Sequence, residues 1–310
     1  MAAYRVTEYI RGALESVLAQ TFRNFEIIVV NDGCPDTPNL ERVLEPYRGR
    51  IVYLKQENAG PSSARNAAIL VAQGSLLAVL DPDDTWEPDY LEVQVQIMRE
   101  DPAIDVLYPN AVYFGDSHLV GRSVMEVCHS DGEVTFAKLL TGECSVVYSV
   151  TARREAIVRT GMYDPSLRTS EDFDLWLRIL KHGGRIAYNP RKLLRYRVHP
   201  GSLTSDPVWL HQNALSVLEK VGRTMELTPE ERRTLDQATR SRRAWLELEL
   251  GKRAFRNGDA DTARIHLNRA NQRLQQRKLS LVLALLRYAP WLLRMGSLMR
   301  DRWMSPLRGR

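Results

Sequence analysis

Three carboxylates, Asp81, Asp83 and Asp84, fall within four residues of the chain, directly after the apolar run at residues 76–80. Repulsion between carboxylates in one turn must be offset by a cation, by hydrogen-bond donors or by solvent. Oxygen ligands suit Mg²⁺ or Mn²⁺, which proteins commonly hold with one or two carboxylates and substrate phosphates. The spacing therefore indicates a divalent-cation site, and a solvated turn that caps the next helix is the alternative.

A second acidic pair, Glu171-Asp172, opens a segment with helical spacing at residues 172–178. Carboxylates near a helix N-terminus are favoured by the helix dipole, which is a purely structural explanation. One of the two would act as a general base if it pointed into a cleft and had a pKa suited to removing a proton. Both interpretations stay open on these residues alone.

Arg65 and His199 are candidate residues for binding an anion. Arg65 lies in the first turn of a helix that opens at Gly60-Pro61-Ser62-Ser63, and the N–H groups of such a turn favour anions. His199 follows a predicted strand within residues 196–202, beside an Arg and a Ser. The alternatives are a surface salt bridge for Arg65 and a structural role for His199.

Alternating strand-like and helix-like segments must position these side chains. Apolar runs at residues 25–30, 51–54 and 76–80 are separated by helical patterns, which predicts a parallel sheet covered on both faces. Sheets of this kind bind ligands beyond the carboxyl ends of their strands. Asp32 and the turn that holds Asp81 lie at those ends. We therefore expect one ligand site at this edge of the sheet.

Composition and charge bound the class of protein. The 310 residues are 44% hydrophobic and 26% charged, which fits a globular protein and excludes disordered and collagen-like classes. Three cysteines without a CxxC spacing favour a reducing compartment over a disulfide framework or zinc site. The first residues hold no apolar run of ~7–15 residues, so we expect no signal peptide, and no run of ~18 apolar residues predicts a membrane span. We predict a cytoplasmic protein that is peripheral on the inner face of the cell membrane.

The basic residues are concentrated at the end of the chain. Residues 240–310 hold 17 Lys and Arg against 5 Asp and Glu, whereas residues 1–239 hold 26 against 33. Beyond residue 205 the pattern is helical, with one hairpin at residues 244–270. We predict a domain at residues 1–205, a helical region at 206–278 and a basic amphipathic tail at 279–310.

The tail has three interpretations. Trp291, Leu292 and Leu293 could enter a lipid headgroup layer while Arg287 and Arg294 meet anionic lipid, which predicts membrane-surface contact through residues 279–310. A structural helix or a dimer contact is the alternative. Nucleic-acid binding is not predicted, because no reader motif accompanies the arginines.

Taken together, these strings resemble glycosyltransferase family 2 over residues 3–205. The strings are residues 25–32, Asn58-Ala59-Gly60-Pro61-Ser62-Ser63-Ala64-Arg65-Asn66, Leu80-Asp81-Pro82-Asp83-Asp84-Thr85-Trp86, residues 170–178 and residues 196–202. The resemblance implies a GT-A-like three-layer α/β/α nucleotide-binding fold with a mostly parallel central sheet, followed here by a helical C-terminal region. It also implies a metal-dependent enzyme that transfers a sugar from a nucleotide-sugar donor, most typically a UDP-sugar, with inversion at the anomeric carbon.

The resemblance also assigns roles to single residues. It implies that Asp172 is the catalytic base and that Glu171 is the acid preceding it. For the donor, it implies contacts with the nucleoside base, the ribose and the diphosphate. It also implies that Asp83 is a ligand of the Mn²⁺ or Mg²⁺ ion bound to the diphosphate. The implied nucleotide-sugar contacts are Asp32, Arg65, Asp81, Asp84 and His199. The implied acceptor is a glycan or lipid-linked hydroxyl in bacterial cell-surface polysaccharide or glycolipid assembly.

One departure from the family pattern lies at the start of the chain. The family opens with an apolar strand and a turn like Pro-Ala-Tyr-Asn, whereas Ala3-Tyr4-Arg5 stands here in place of that turn. We therefore expect Met1 to fall after the first strand, through a misassigned start codon or a truncation. The alternative function is a non-catalytic nucleotide-sugar-binding or membrane-associated scaffold protein. A nucleotidyltransferase would need a Gly-rich, Lys-containing loop near the start, which is absent.

Overall fold

The computed structural model describes residues 1–128, 130, 133–199, 201, 202 and 206–288. It divides the chain into two compact units, Met1–Ser205 and Asp206–Arg310. Each unit is considered by itself below. The first carries every candidate site residue, and the second is helical throughout its described part.

The first sheet of the first unit is parallel. Its strands are β1 (Ala2–Ala3), β2 (Ile28–Asp32) and β3 (Val52–Gln56). They lie in the order β1-β2-β3. Val29 and Val30 of β2 are fully buried, as the apolar run predicts, and the strand ends at Asp32. Asp32 therefore lies at the edge of the sheet that the C-terminal ends of its strands form.

The second sheet is mixed. Its strands are β4 (Leu76–Ala78), β5 (Thr85–Trp86), β6 (Val106–Gly115), β7 (Thr151–Arg153) and β8 (Ile186–Val198). They lie in the order β4-β7-β6-β8-β5, with β6 and β8 parallel and the other neighbours antiparallel. Because β5 pairs with the end of β8, the sheet brings the turn before β5 to the residues that follow β8.

Helices flank these strands in the first unit. They are α1 (Ile10–Leu18), α2 (Thr37–Leu44), α3 (Pro61–Val71), α4 (Tyr90–Glu100), α5 (Val124–Val127), α6 (Phe136–Thr141), α7 (Arg154–Arg159) and α8 (Glu171–Lys181). A 3₁₀ segment, Glu45–Arg50, follows α2. The apolar stripe Ile10, Leu14 and Val17 of α1 is buried, as its helical spacing requires.

The second unit consists of α9 (Pro207–Thr224), α10 (Pro229–Arg256), α11 (Ala260–Leu274) and α12 (Arg277–Tyr288). A capping box between Thr228 and Glu231 starts α10. The helices α10 and α11 pack closely at Gly251, where a Cβ would lie 2.6 Å from the Leu267 side chain. The predicted hairpin at residues 244–270 lies within α10 and α11, which turn between Arg256 and Ala260.

The structure confirms the predicted α/β class. It contains the expected parallel sheet, β1-β2-β3, and a helical C-terminal region. One expectation is wrong. The run at residues 76–80 was expected in the parallel sheet, but β4 pairs antiparallel with β7. Ala2 and Ala3 form a two-residue β1 beside β2, and the Met1 carbonyl accepts from the Val30 N–H at 3.0 Å. The expectation that Met1 follows the family's first strand stays a prediction.

The predicted tail lies only partly within the described chain. Its first ten residues, 279–288, belong to α12, and residues 289–310 with Trp291 lie outside the described residues. Among the helices that the structure describes, none combines the length and the apolar character that a membrane span requires.

Candidate active site

Arg65 joins the two acidic segments of the first unit. Its Nη2 donates to Asp81 Oδ1 at 2.9 Å, and its Nη1 contacts the Glu171 carboxylate. The guanidinium is 12% exposed and also lies over the ring of Tyr163, 5.4 Å from the centroid. Burial acts to lower the Arg65 pKa, but the charges of Asp81 and Glu171 hold that pKa well above its usual range. The turn after β4 and the start of α8 therefore meet at one cation.

Asp172 lies beside this bridge, in the first turn of α8. Burial, and then the charge of Glu171, raise the pKa of Asp172 to about 7. The Phe173 N–H donates to Asp172 Oδ1 at 2.7 Å and acts in the opposite direction. A carboxyl group with this pKa is half ionised near neutral pH and can accept a proton there. A group with this pKa is chemically able to act as a general base.

The backbone before α8 takes an uncommon conformation. Ser170 has φ of +59°, in the left-handed region that few residues other than Gly adopt, and its side chain does not cap the helix. Further along α8, Arg178 pairs with the fully buried Asp174 and donates to the carbonyl of Met162 at 2.7 Å. Arg178 thereby fixes α8 to the segment just before Tyr163.

Asp83 and His199 form a second polar pair. His199 Nε2 lies 3.1 Å from Asp83 Oδ2, and both side chains are partly exposed. The His199 ring also packs against Tyr9, with the centroids 4.8 Å apart. Burial, and then the charge of Asp81, raise the pKa of Asp83, while His199 acts to lower it. An imidazole and a carboxylate are thus held together at an accessible position.

Asp84 is directed inward. It is 1% exposed, and its Oδ1 accepts the N–H of Arg197 at 2.6 Å. Its Oδ2 is buried and has no hydrogen-bond partner among the described residues. Burial, and then the charge of Asp83, raise the Asp84 pKa well above its usual range. The side chain of Arg197 donates to the carbonyl of Asp83 at 2.8 Å, so Arg197 holds both Asp83 and Asp84.

The donor set at this turn fits a divalent cation. Within the described part of the chain, no three His, Cys, Asp or Glu side chains form a ready-made cage. Asp83 and His199 nevertheless offer one carboxylate and one imidazole, and Asp84 keeps an unpaired oxygen nearby in sequence. Mn²⁺ and Mg²⁺ sites often consist of one or two protein ligands completed by substrate phosphates and water. The residues present are compatible with that mode.

Asp32 binds a loop of its own chain. The carboxylate is 2% exposed. Its Oδ1 accepts Gln56 Nε2 at 2.7 Å and the Ala59 N–H at 2.9 Å, and its Oδ2 accepts the Gly60 N–H at 2.9 Å. Gly60 is the N-cap of α3, with φ of +91°. Asp32 therefore holds the loop that starts α3 and so orients Arg65.

This network predicts the effect of Asp32→Asn on stability. An amide in place of the carboxylate directs an NH₂ group at the loop's N–H donors and leaves at least one of them unsatisfied. We expect a loss of about 1–3 kcal/mol in the free energy of unfolding, measured by urea denaturation. Glu57→Gln, at an exposed position of the same loop, is the matched control and should change stability little. Equal, small effects of both substitutions would contradict the role given to Asp32.

The structure thus brings together six of the eight residues singled out in the sequence: Asp81, Asp83, Glu171 and Asp172, with Arg65 between them and His199 at the edge. Asp84 supports the turn from inside, and Asp32 binds the loop before α3. Tyr9, Tyr163 and Arg197 also contact these residues and were not singled out as site residues from the sequence. Arg197 lies in the quoted string at residues 196–202, and its proximity to a histidine was the signal available. Ser62, expected to cap α3, instead donates to the Leu167 carbonyl at 3.0 Å.

Comparison with known proteins places the chain in context. The model of a family described as Glycosyl transferase family 2 matches residues 1–155. The UDP-Glc:alpha-D-GlcNAc-diphosphoundecaprenol beta-1,3-glucosyltransferase WfgD of Escherichia coli is 31% identical over 208 residues, which cover 66% of this chain and 78% of that protein. An uncharacterized glycosyltransferase of Methanocaldococcus jannaschii is 28% identical over 203 residues, covering 64% and 69% of the two chains.

Other relatives are longer than the shared region. The chain spans 29% of a Rickettsia bellii glycosyltransferase and 64% of one from Rickettsia prowazekii, each 30% identical to it.

Solved structures show the fold. Residues 1–349 of S. aureus TarS in complex with UDP-GlcNAc superpose with a TM-score of 0.60 at 17% identity, over 89% of this chain and 90% of that one. A mannosyltransferase from Pyrobaculum calidifontis in complex with GDP-Man and Mn²⁺ superposes with a TM-score of 0.62 at 18% identity, over 98% and 83% of the two chains. The chain therefore has the GT-A fold of these transferases.

Proposed function

Because the chain belongs to glycosyltransferase family 2, we propose that it transfers a sugar from a nucleotide-sugar donor to an acceptor hydroxyl, with inversion at the anomeric carbon. The observation that carries this proposal is Asp172, a base with a pKa of about 7, held beside the Arg65 bridge that ends at the acidic turn. A UDP-sugar is the donor class that we favour, by similarity to the Escherichia coli and S. aureus proteins.

The proposed reaction is a single displacement. The acceptor oxygen attacks the anomeric carbon, the bond from that carbon to the diphosphate breaks, and the acceptor proton passes to Asp172. The nucleoside diphosphate leaves. No covalent intermediate is required, since one base on the face opposite the leaving group suffices for inversion.

Each remaining residue of the site has a part in this scheme. Asp83 and His199 would hold a Mn²⁺ or Mg²⁺ ion, which when bound offsets the negative charge that develops on the leaving diphosphate. Arg65 orients Asp81 towards the donor and holds the Glu171 side chain in place beside Asp172. Asp84 supports Asp83 through the shared contact with Arg197. Asp32, by family resemblance, lies near the nucleoside base while it holds the loop before α3.

The activity is tested with a panel of donors. UDP-Glc, UDP-GlcNAc and GDP-Man are incubated with the protein and Mn²⁺, and release of the nucleoside diphosphate is followed with and without EDTA. We expect release from one donor class and its loss in EDTA, restored by excess Mn²⁺. Calorimetric binding of a donor without any turnover would favour the non-catalytic alternative. Absence of both binding and turnover would contradict the proposal.

We further propose that the acceptor is a lipid-linked or cell-surface glycan and that the protein acts at the cytoplasmic face of the membrane. The support within the described chain is α12, in which Leu281 is 51% exposed and Arg277 and Lys278 are exposed at the start. Apolar side chains and adjacent basic residues are what an anionic lipid surface binds, at about 1 kcal/mol for each basic residue.

Charge reversal at the start of α12 tests the membrane contact. Arg277→Glu combined with Lys278→Glu should reduce co-sedimentation with phosphatidylserine vesicles by roughly tenfold or more. The matched control reverses Arg223 and Arg240, which are exposed elsewhere in the second unit. An equal reduction in both double variants would mean that net charge alone drives binding, and unchanged binding in the first would remove α12 from the contact.

A further inference from the structure

A partly buried arginine of the second unit, Arg242 of α10, faces α9. Its Nη1 donates to His211 Nδ1 at 3.3 Å. Its Nε and Nη2 have no hydrogen-bond partner among the described residues, and no carboxylate of those residues forms an ion pair with the guanidinium. Nε and Nη2 carry parallel N–H groups in a fixed fork. The side chain therefore presents a charged pair of donors that the described chain does not use.

His211 adds a further donor at the same place. Burial, and then the charges of Arg242 and Lys252, lower the pKa of His211 to about 4. The ring is therefore neutral near pH 7. Because a guanidinium can only donate, Nδ1 must be the acceptor of the bond from Arg242, and the proton of the neutral ring lies on Nε2. Among the described residues, none accepts from this N–H.

Two acidic side chains of α9 and α10 are engaged with other cations. Glu249 lies 2.6 Å from Lys252 Nζ, and both side chains are largely buried. Glu219 pairs with Arg243 at 3.1 Å. The charge of Lys252 is thus compensated within the protein, whereas the charge of Arg242 has no counter-charge within the described part of the chain.

The unused donors are within reach of solvent. The described polar atoms that are both fully buried and without a partner include no nitrogen of Arg242 or His211. A small ligand can therefore approach these nitrogens from the surface of the unit. Burial nevertheless lowers the pKa of Arg242, so water compensates its charge only in part. An anion at this position would replace that incomplete hydration.

We propose that Arg242 and His211 form a phosphate-binding site on the helical unit, with no residue in common with the candidate active site. The Nε and Nη2 fork of Arg242 matches two oxygens of one phosphate group, and charge-assisted bonds of this kind are stronger than neutral ones. The Nε2–H of His211 serves a third oxygen. A carboxylate has only the two oxygens that the fork would use, so the additional imidazole donor favours phosphate.

The ligand is a compound that carries this phosphate, either a soluble phosphate ester or the headgroup of a phospholipid. Both sources offer the same oxygens to the same donors. Glu249 does not oppose their binding strongly, because Lys252 holds its charge. The site is independent of the proposed sugar transfer, and its test uses no glycosyl donor.

The experiment titrates the full chain with inorganic phosphate, in EDTA and at constant ionic strength. Binding is followed by NMR at the ring of His211, one of six histidines, whose signal is identified by its absence from His211→Gln. We expect a saturable shift of that signal. Arg242→Met should weaken the apparent affinity by about tenfold or more, because it removes charge-assisted bonds. Arg242→Lys keeps the charge without the fork and should bind with intermediate affinity.

The matched control is Arg243→Met, at the adjacent position, where the arginine is exposed and paired with Glu219. It should leave the affinity for phosphate unchanged. An equal loss in both methionine variants, or no saturable shift at His211 in the unaltered chain, would overturn the site.

Stability separates binding from a merely structural role of Arg242. Without phosphate, Arg242→Met should keep or raise the unfolding midpoint, because it removes a partly buried cation that has no partner among the described residues. A lowered midpoint with an unchanged response to phosphate would mean that Arg242 only joins the two helices, and would overturn the proposal.

A competition identifies the source of the phosphate. Glycerol 3-phosphate and monomeric dihexanoyl phosphatidic acid are each added to the phosphate complex, and the His211 signal is followed. Equal displacement by the two compounds assigns the site to soluble phosphate esters. Displacement by the lipid at about tenfold lower concentration assigns it to a phospholipid headgroup. Displacement by neither would overturn the proposal that the site binds a phosphate-bearing compound.

Discussion

Replacing Asp172 with asparagine is expected to lower the rate of sugar transfer by about two to four orders of magnitude. The amide keeps the shape of the carboxyl group but cannot accept the acceptor proton. Asparagine has nearly the same size and shape as aspartate, so the fold around the start of α8 should not change. The substitution removes only the ionisable group with the raised pKa. The measurement is kcat for transfer to a hydroxyl acceptor, with donor affinity determined separately by calorimetry and expected to be nearly unchanged.

The pH dependence of the transfer rate is a second test of the role of Asp172. The base must be ionised to act, and the Asp172 pKa is raised to about 7. Activity should therefore increase about tenfold per pH unit below pH 7 and level off above it. The residual activity of Asp172→Asn should not show this rise with pH. Asp236→Asn, at an exposed position of the second unit, is the control and should leave both rate and profile unchanged. An Asp172→Asn enzyme with full activity would refute the assignment.

Removing the guanidinium of Arg65 is expected to give the largest loss of stability. Arg65→Met leaves the carboxylates of Asp81 and Glu171 without their shared cation in a largely buried position. Breaking a buried ion pair from one side costs about 3–5 kcal/mol, because the remaining charge is left uncompensated. Chemical denaturation should show this loss, and donor turnover should decrease with it because Asp81 and Glu171 lose their positions.

A double substitution separates charge from packing. Arg65→Met combined with Glu171→Gln removes one of the two carboxylate charges that Arg65→Met leaves unpaired. This double variant should recover more than ~1 kcal/mol of the lost free energy of unfolding. Arg48→Met is the matched control, since Arg48 pairs with Glu45 at an exposed position and should cost no more than ~1 kcal/mol. If Arg65→Met and Arg48→Met had similar effects, the bridge would not hold the site together.

Much of the site was predictable because its parts are local. Asp81, Asp83 and Asp84 follow an apolar run, and Glu171 and Asp172 begin an amphipathic helix, so pattern alone indicates where they lie. The family resemblance added that His199 belongs to the same end of the molecule, and it lies 3.1 Å from Asp83. The roles of these residues in binding and catalysis stay predictions until the experiments above are done.

The rest depends on partners that no local pattern reveals. The pairing of Arg65 with Glu171 joins residues 106 positions apart. The burial of Asp32 under the loop before α3 depends on backbone N–H groups, which have no signature in residue types. The direction of β4 is likewise set by its neighbour β7 and not by its own composition. In each case tertiary contacts decide among structures that the local sequence allows equally.

The long-range pairs also determine when in folding the site can exist. The contacts Arg65–Glu171, Asp84–Arg197 and Asp83–His199 close loops of 106, 113 and 116 residues. Closing such loops costs chain entropy before any contact compensates it, and folding slows as the mean separation of contacts grows. During synthesis the acidic turn therefore leaves the ribosome well before Arg197 and His199 are available to pair with it. Assembly of the site is accordingly a late event in folding, coupled to the arrival of the last strand of the first unit.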